Sequence, residues 1–205
     1  MLPSAFYSDS FIVTLLNINH LGLEDNFAKI IKGCLAGKRD YQEALYKLFS
    51  GKMYGLCLRY TKDRDEAQDI LQEGFIKVFS NLTKFDNRGS FEGWIRRIII
   101  NVALERFRKT NYMYPVEDIT IYKDQLDYDD MEATMSEEEM LKLIQELSPK
   151  YRMVFNLYAI EGYSHSEISQ MLNISEGTSK SNLSRARVIL QEKLKEYSKN
   201  TVKFG

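Results

Sequence analysis

Three stretches of this chain hold side chains whose types and spacing could do chemistry. Between Glu176 and Lys195, Gly177, Thr178, Lys180, Ser181, Ser184, Arg185 and Arg187 are interleaved with Leu183, Ala186, Leu190 and Leu194 at helical spacing. Small hydroxyls and cations set off an apolar stripe suit base edges and phosphates, and the plain alternative is a solvated helix hairpin. From Lys84 to Lys109 the cations Lys84, Arg88, Arg96, Arg97, Arg106, Arg108 and Lys109 face three acids, with Phe85, Phe91, Trp94 and Phe107 among them. Cations hold phosphates and rings stack on unpaired bases, so this composition suits melted nucleic acid. Trp94 also falls on an apolar stripe, as a core residue would, whereas Phe85 lies in an irregular loop. The third stretch is acidic: Asp65, Glu66, Asp69, Gln72 and Glu73 recur at three- and four-residue steps opposite a stripe ending in Phe75, Val78 and Phe79. Such a flank is either a solvated face or a docking surface for a basic partner.

Other chemistry is poorly supplied. His20 and His165 are the only histidines, and Cys34 and Cys57 sit in apolar surroundings outside any Cys-x-x-Cys arrangement, so no metal site, triad or cofactor is expected. The formal net charge of the 205 residues is only -1, so nucleic-acid binding has to rest on local asymmetry. That asymmetry exists, because Tyr114 to Met140 holds ten acids and Lys123 alone. The apolar run Phe11 to Leu16 is too short to cross a membrane and lacks the basic residues that precede a secretory core, which points to a cytoplasmic chain.

The elements that must position these residues all read as helices. Apolar stripes at Phe27 to Leu35, Leu45 to Tyr60, Ala67 to Leu82 and Trp94 to Phe107 predict four helices in the first half, with residues 1–22 as a loosely ordered extension. Pro115 and the acids after it predict an extended linker over 113–135. Order returns with Ser136 and Glu139 as a capping box, Pro149 at a first helical position and Gly162 at a left-handed helix end. Helix, tight turn and long basic helix then run from Ser164 to Lys195, with Ser175 as an N-cap. The fold class is all-α: two small helical domains, 23–112 and 136–205, joined by an acidic flexible linker, the second containing a helix-turn-helix.

The runs Asp65 to Glu73, Gly89 to Ile98, Leu147 to Phe155 and Ser175 to Ser181 with Ser184 to Arg187, in this order around an acidic linker, resemble the extracytoplasmic-function sigma factors, small initiation subunits of bacterial RNA polymerase. The resemblance implies a promoter-recognition subunit in which Asp65, Glu66, Asp69, Gln72, Glu73 and Phe75 bind core polymerase. It implies that Lys84, Phe85, Arg88, Phe91, Trp94, Arg96, Arg97, Asn101 and Arg106 meet the minus-ten element, a flipped base being held by the loop Leu82 to Phe91. Ser175, Gly177, Thr178, Lys180, Ser181, Ser184, Arg185 and Arg187 would read the minus-thirty-five element, and the linker would thread the path later taken by RNA. A regulatory protein such as an anti-sigma factor or a response regulator is the further partner implied; a membrane and a small-molecule substrate are not. The family often has a branched apolar residue and an arginine where this chain has Ser179 and Asn182, and Gly74 is costly inside an exposed helix unless it allows a partner's close approach.

Two other readings compete. A helix-turn-helix regulator independent of core polymerase would make the acidic helix and the basic-aromatic stretch coincidental, and an enzyme acting on nucleic acid would need a clustered carboxylate or His/Cys set. The linker reading yields a first prediction: limited proteolysis of the whole chain should cut first within 113–135, and uniform resistance there would contradict an extended linker.

Overall fold

The computed structural model describes residues 20–86, 88–111 and 135–201. The linker, except Met135, and residues 1–19 of the N-terminal extension lie outside the described residues. Four helices form the first half: α1 (His20–Leu35), α2 (Arg39–Tyr60), α3 (Arg64–Ser80) and α4 (Phe91–Asn111), with a 3-10 turn at Leu82–Lys84. Helix α1 starts inside the stretch 1–22 that the sequence leaves irregular. The second half holds α5 (Glu137–Glu146), α6 (Pro149–Phe155), α7 (His165–Leu172) and α8 (Glu176–Thr201). Helix α6 runs on as a π turn over Asn156–Ile160, closed by the Glu161 N–H donating to the Asn156 carbonyl at 2.9 Å. Nothing in the apolar periodicity signals that widening.

Local chemistry sets the boundaries. Asp63 accepts from the Glu66 N–H at the start of α3, and Ser136 with Glu139 completes a reciprocal capping box at α5. A second box, Ser164 with Glu167, opens α7 and was equally visible in the sequence as Ser-x-x-Glu. Asn173, at φ 54°, supplies the left-handed residue between the last two helices, and Ser175 Oγ accepts from the Thr178 N–H at 2.9 Å to cap α8. Gly162, at φ 78°, provides the other reversal.

The expected stripes are buried. Leu45, Met53, Leu56, Ile70, Val78, Ile95, Ile99 and Val102 fill the first half. Cys34 and Cys57 are buried thiols; burial raises both pKa values, that of Cys57 to about 12. The apolar core does not stop at the linker. Met153, Val154, Leu157, Ile168, Leu172 and Leu183 from the second half join one continuous cluster with the first, so the two helical domains are packed together. A smaller cluster, Leu147, Ala186 and Leu190, ties α8 back to the start of α6.

Gly74 has an internal explanation, which replaces the partner's approach as its reason. It is buried in α3 where α4 crosses, and an added Cβ would stand 2.1 Å from Ile99 Cδ1. Gly74→Ala gains helix propensity worth about 1 kcal/mol but overpacks a site where strain costs roughly 1 to 3 kcal/mol. Urea denaturation should show a net loss, partly recovered in the double variant with Ile99→Val, which removes the obstructing methyl.

Candidate functional site

Helix α3 carries the acidic face. Asp65, Glu66, Asp69 and Gln72 are exposed and Glu73 half-buried, while Phe75 is 3% exposed and packs inside, edge-on to Tyr46. Phe75 is therefore a support for the face and not a part of its surface. Ile76, 66% exposed, extends the same side with an apolar group. Two of these acids are already paired: Arg106 on α4 reaches Asp69 at 3.3 Å and Glu73 at 3.2 Å, and Lys77 bridges Glu73 at 3.4 Å and Glu105 at 2.6 Å. Arg106, assigned to nucleic acid by the resemblance, also braces the acidic face.

The basic-aromatic stretch separates into an aromatic floor and an exposed rim. Phe91 is 6% exposed, which makes it core and not a surface contact, and it touches Phe85 at 4.9 Å and Trp94 at 5.4 Å between ring centroids. Phe85 and Trp94 are themselves 5.6 Å apart and half-buried, so the loop ring rests on the helix ring. Lys84, Arg88, Arg97 and Asn101 are exposed, Arg88 lying 3.4 Å from Asp86. Arg96 is engaged elsewhere, as described below.

In the helix-turn-helix, Leu183, Ala186 and Leu190 are buried, which turns Ser181, Ser184 and Arg185 away from the core stripe and leaves Lys180 and Arg187 along its flank. Gly177 and Ser175 are exposed at the N-terminal end, and Thr178 and Ser175 hydroxyls lie 2.8 Å apart. Arg187 stands over the Tyr158 ring at 5.8 Å, and that ring stacks on His165 with centroids 4.5 Å apart. Ser179, one of the two departures from the family pattern, is fully buried, its hydroxyl 2.9 Å from His165 Nδ1. A polar pair therefore fills this buried position between α7 and α8.

The residues that sequence reasoning missed lie along the seam between the halves. The last carbonyls of a helix have no intrahelical partner. At the end of α2, Thr61 Oγ donates to the Cys57 carbonyl at 3.0 Å, Gln145 Nε2 of α5 to the Leu58 carbonyl at 2.9 Å, and Asn156 Nδ2 of the π turn to the Arg59 carbonyl at 2.7 Å. Glu161, its side chain 4% exposed, receives Arg96 in a two-point pair at 2.5 and 2.7 Å and lies 3.6 Å from Arg59. Burial lowers the Arg59 pKa, against the pull of Glu161, and burial also holds the Tyr60 phenol well above its usual range. Among the described residues, the buried polar side-chain atoms without a partner, Arg59 Nε, the Tyr60 hydroxyl, Arg152 Nε and Asn156 Oδ1, sit along this seam. Apart from the local Thr61 cap, these contacts span 65 to 102 residues of sequence, and no local pattern announces them.

No described helix is long and apolar enough to cross a membrane, and the described residues contain no His/Cys/Asp/Glu cluster able to hold a metal. An all-helical body with a capped acidic helix, a basic-aromatic helix and a helix-turn-helix defines a promoter-recognition subunit, and known proteins agree with that class. Residues 45–112 match Sigma-70 region 2 and residues 137–190 match Sigma-70, region 4. The chain is 32% identical over 187 residues to the ECF RNA polymerase sigma factor SigW of Bacillus subtilis, covering 85% of this chain and 100% of that one. It is 29% identical to the sigma factor SigE of Mycolicibacterium smegmatis, covering 78% and 63% of the two, and 27% identical to the RNA polymerase sigma-H factor of Pseudomonas aeruginosa, covering 81% and 92%. Among solved structures it is similar, at 23% identity and a TM-score of 0.47, to the sigma factor RpoE of Bartonella quintana in complex with the anti-sigma factor NepR, covering 75% of this chain and 96% of that one. The chain belongs to the extracytoplasmic-function family of RNA polymerase sigma factors. It is a transcription initiation factor that works with core RNA polymerase on promoter DNA.

The His165–Ser179 pair carries a pH consequence. Burial first, and the nearby Lys180 second, hold the His165 pKa below its ordinary 6.5. The folded chain therefore resists a proton that the unfolded chain accepts, so stability falls as pH drops below 6.5. His165→Gln should flatten the slope of melting temperature between pH 7 and 5, and an unchanged slope would assign it to other groups.

Proposed function

We propose a division of labour in which residues 23–112 hold core polymerase and the minus-ten element and residues 136–205 read the minus-thirty-five element, with no catalytic chemistry in the chain and a cytoplasmic location. The observation that carries this reading is the sidedness of α3 and α8: each buries most of one apolar stripe and carries on its opposite face mainly acids on α3 and, over residues 177–187 of α8, cations with small hydroxyls. Acids on a rigid helix suit a basic helical partner, and Ile76 beside them adds apolar contact. On α8 the cap at Ser175 exposes the first turn, and the cations that follow are spaced to reach base edges and phosphates from the major groove. Between them, Lys84, Arg88, Arg97 and Asn101 supply an exposed polar rim above the Phe85–Phe91–Trp94 ring cluster. A regulator independent of core polymerase has no use for the acidic face.

Because Arg106 braces Asp69 and Glu73, a simple charge reversal confounds docking with folding. Asp69→Arg paired with Arg106→Asp keeps the 69–106 pair with its polarity reversed, and Arg106→Asp alone controls for the lost Glu73 contact. If the face docks core polymerase, this swap should weaken core binding about as much as Asp69→Arg alone, whereas full recovery in the swap would make the pair purely internal.

On α8, Arg185→Ala at a base contact should cost about 1 to 3 kcal/mol and relax one promoter position, whereas a phosphate contact should weaken all sequences alike and reduce the salt slope by about one unit. Holoenzyme titrations against promoter fragments with single-base changes read the difference. Full-strength binding at every sequence and salt would remove Arg185 from the interface.

A further inference from the structure

The seam holds two guanidiniums around one carboxylate. Arg96 of α4 takes both oxygens of Glu161, and Arg59 at the end of α2 approaches the same carboxylate at 3.6 Å. A carboxylate and a backbone phosphodiester present the same thing to arginine: a single negative charge shared by two outward oxygens. Glu161 sits on the second half, Arg59 and Arg96 on the first, so the occupant of this arginine pair arrives only when the halves close. The same pattern continues one residue on. Glu167 of α7, whose carboxylate is held low by the Ser164 backbone and hydroxyl, also feels the field of the exposed Arg97. The closed chain thus sets acids of the second half against three arginines of the first, of which the proposed function turns Arg97 toward DNA. Buried polar atoms left without partners along the seam mark it as a junction less completely satisfied than the helix interiors.

We propose that Arg59 and Arg96 form a clamp for a backbone phosphate of promoter DNA, and that Glu161 occupies this clamp in the closed chain, so that domain closure and DNA engagement compete for the same two guanidiniums. Arg59 thereby joins the DNA-binding set, and Glu161 acts as an internal competitor that falls away when the second half leaves. The inference rests on the proposed function, in which residues 23–112 meet the minus-ten element.

The test uses the full-length protein without core polymerase and a fluorescent fork-junction oligonucleotide of mixed sequence, because phosphate binding is independent of sequence. Glu161→Gln should raise affinity about tenfold and steepen the salt dependence, since it releases both guanidiniums. Arg96→Gln breaks the same pair but removes a phosphate ligand, and it should show no gain. A mere latch between halves would respond to either substitution in the same way. The proposal is overturned if Glu161→Gln binds no tighter than the unsubstituted chain, or if Arg96→Gln gains as much. Should Glu161→Gln lose its helical circular dichroism, Glu161→Asp, which withdraws the carboxylate by one carbon, is read in its place under the same criteria. Promoter-specific initiation by the unsubstituted holoenzyme is measured in parallel: its absence with the oligonucleotide result intact would contradict the promoter reading and leave the clamp standing.

Discussion

The arrangement of the molecule depends on how one helix ends. Helix α2 stops at the buried Tyr60, its last carbonyls have no intrahelical partner, and a carbonyl left unpaired in the interior costs roughly 1 to 3 kcal/mol. Only the Cys57 carbonyl is answered locally, by Thr61; the next two are answered by Gln145 and Asn156, which arrive from the other side of the linker. The second half is in this sense the C-terminal cap of the first. Once those two amides are in place, Met153, Val154 and Leu157 lie against the first-half core and Glu161 lies between Arg59 and Arg96. Asn156 also binds the Arg152 carbonyl with the same amide, so the π turn and the seam are fixed by one fully buried side chain.

That dependence explains why surfaces with separate tasks share residues. Arg106 sits on the helix that would meet DNA and braces the acids that would meet polymerase. Arg96 sits on the same helix and holds the second half. Ring packing of Phe85 on Phe91 and Trp94 links the loop to the core beneath it, so a loop movement must repack aromatic contacts. Helix α4 therefore connects three interfaces through four side chains, and a change at one is felt at the others.

Much of this was legible in the sequence because it is local. The apolar stripes, the box at Ser136, the cap at Ser175 and the reversal at Gly162 each depend on residues within four positions, and each is found in place. The sidedness of α3 and α8 follows from the same periodicity. What the sequence concealed is the long-range chemistry. Phe75 and Phe91 belong to motifs that resemble functional ones, yet their rings are buried beneath the faces they support. Gly74 reads as a weak helix residue until Ile99 of the crossing helix is seen against it. Ser179 reads as a departure until His165, fourteen residues earlier, supplies its partner. The linker's composition argues for two separate bodies, and only tertiary contacts join their cores.

The claim that most needs direct testing is that the free chain holds its halves together in one arrangement. Nitroxide labels at Lys47→Cys on α2 and Glu192→Cys on α8, both exposed positions, report the distance across the seam by pulsed electron resonance, while the native Cys34 and Cys57 are buried. A single narrow distance distribution, broadened by Asn156→Ala, is the result this account predicts. A broad distribution in the unsubstituted free chain would contradict it.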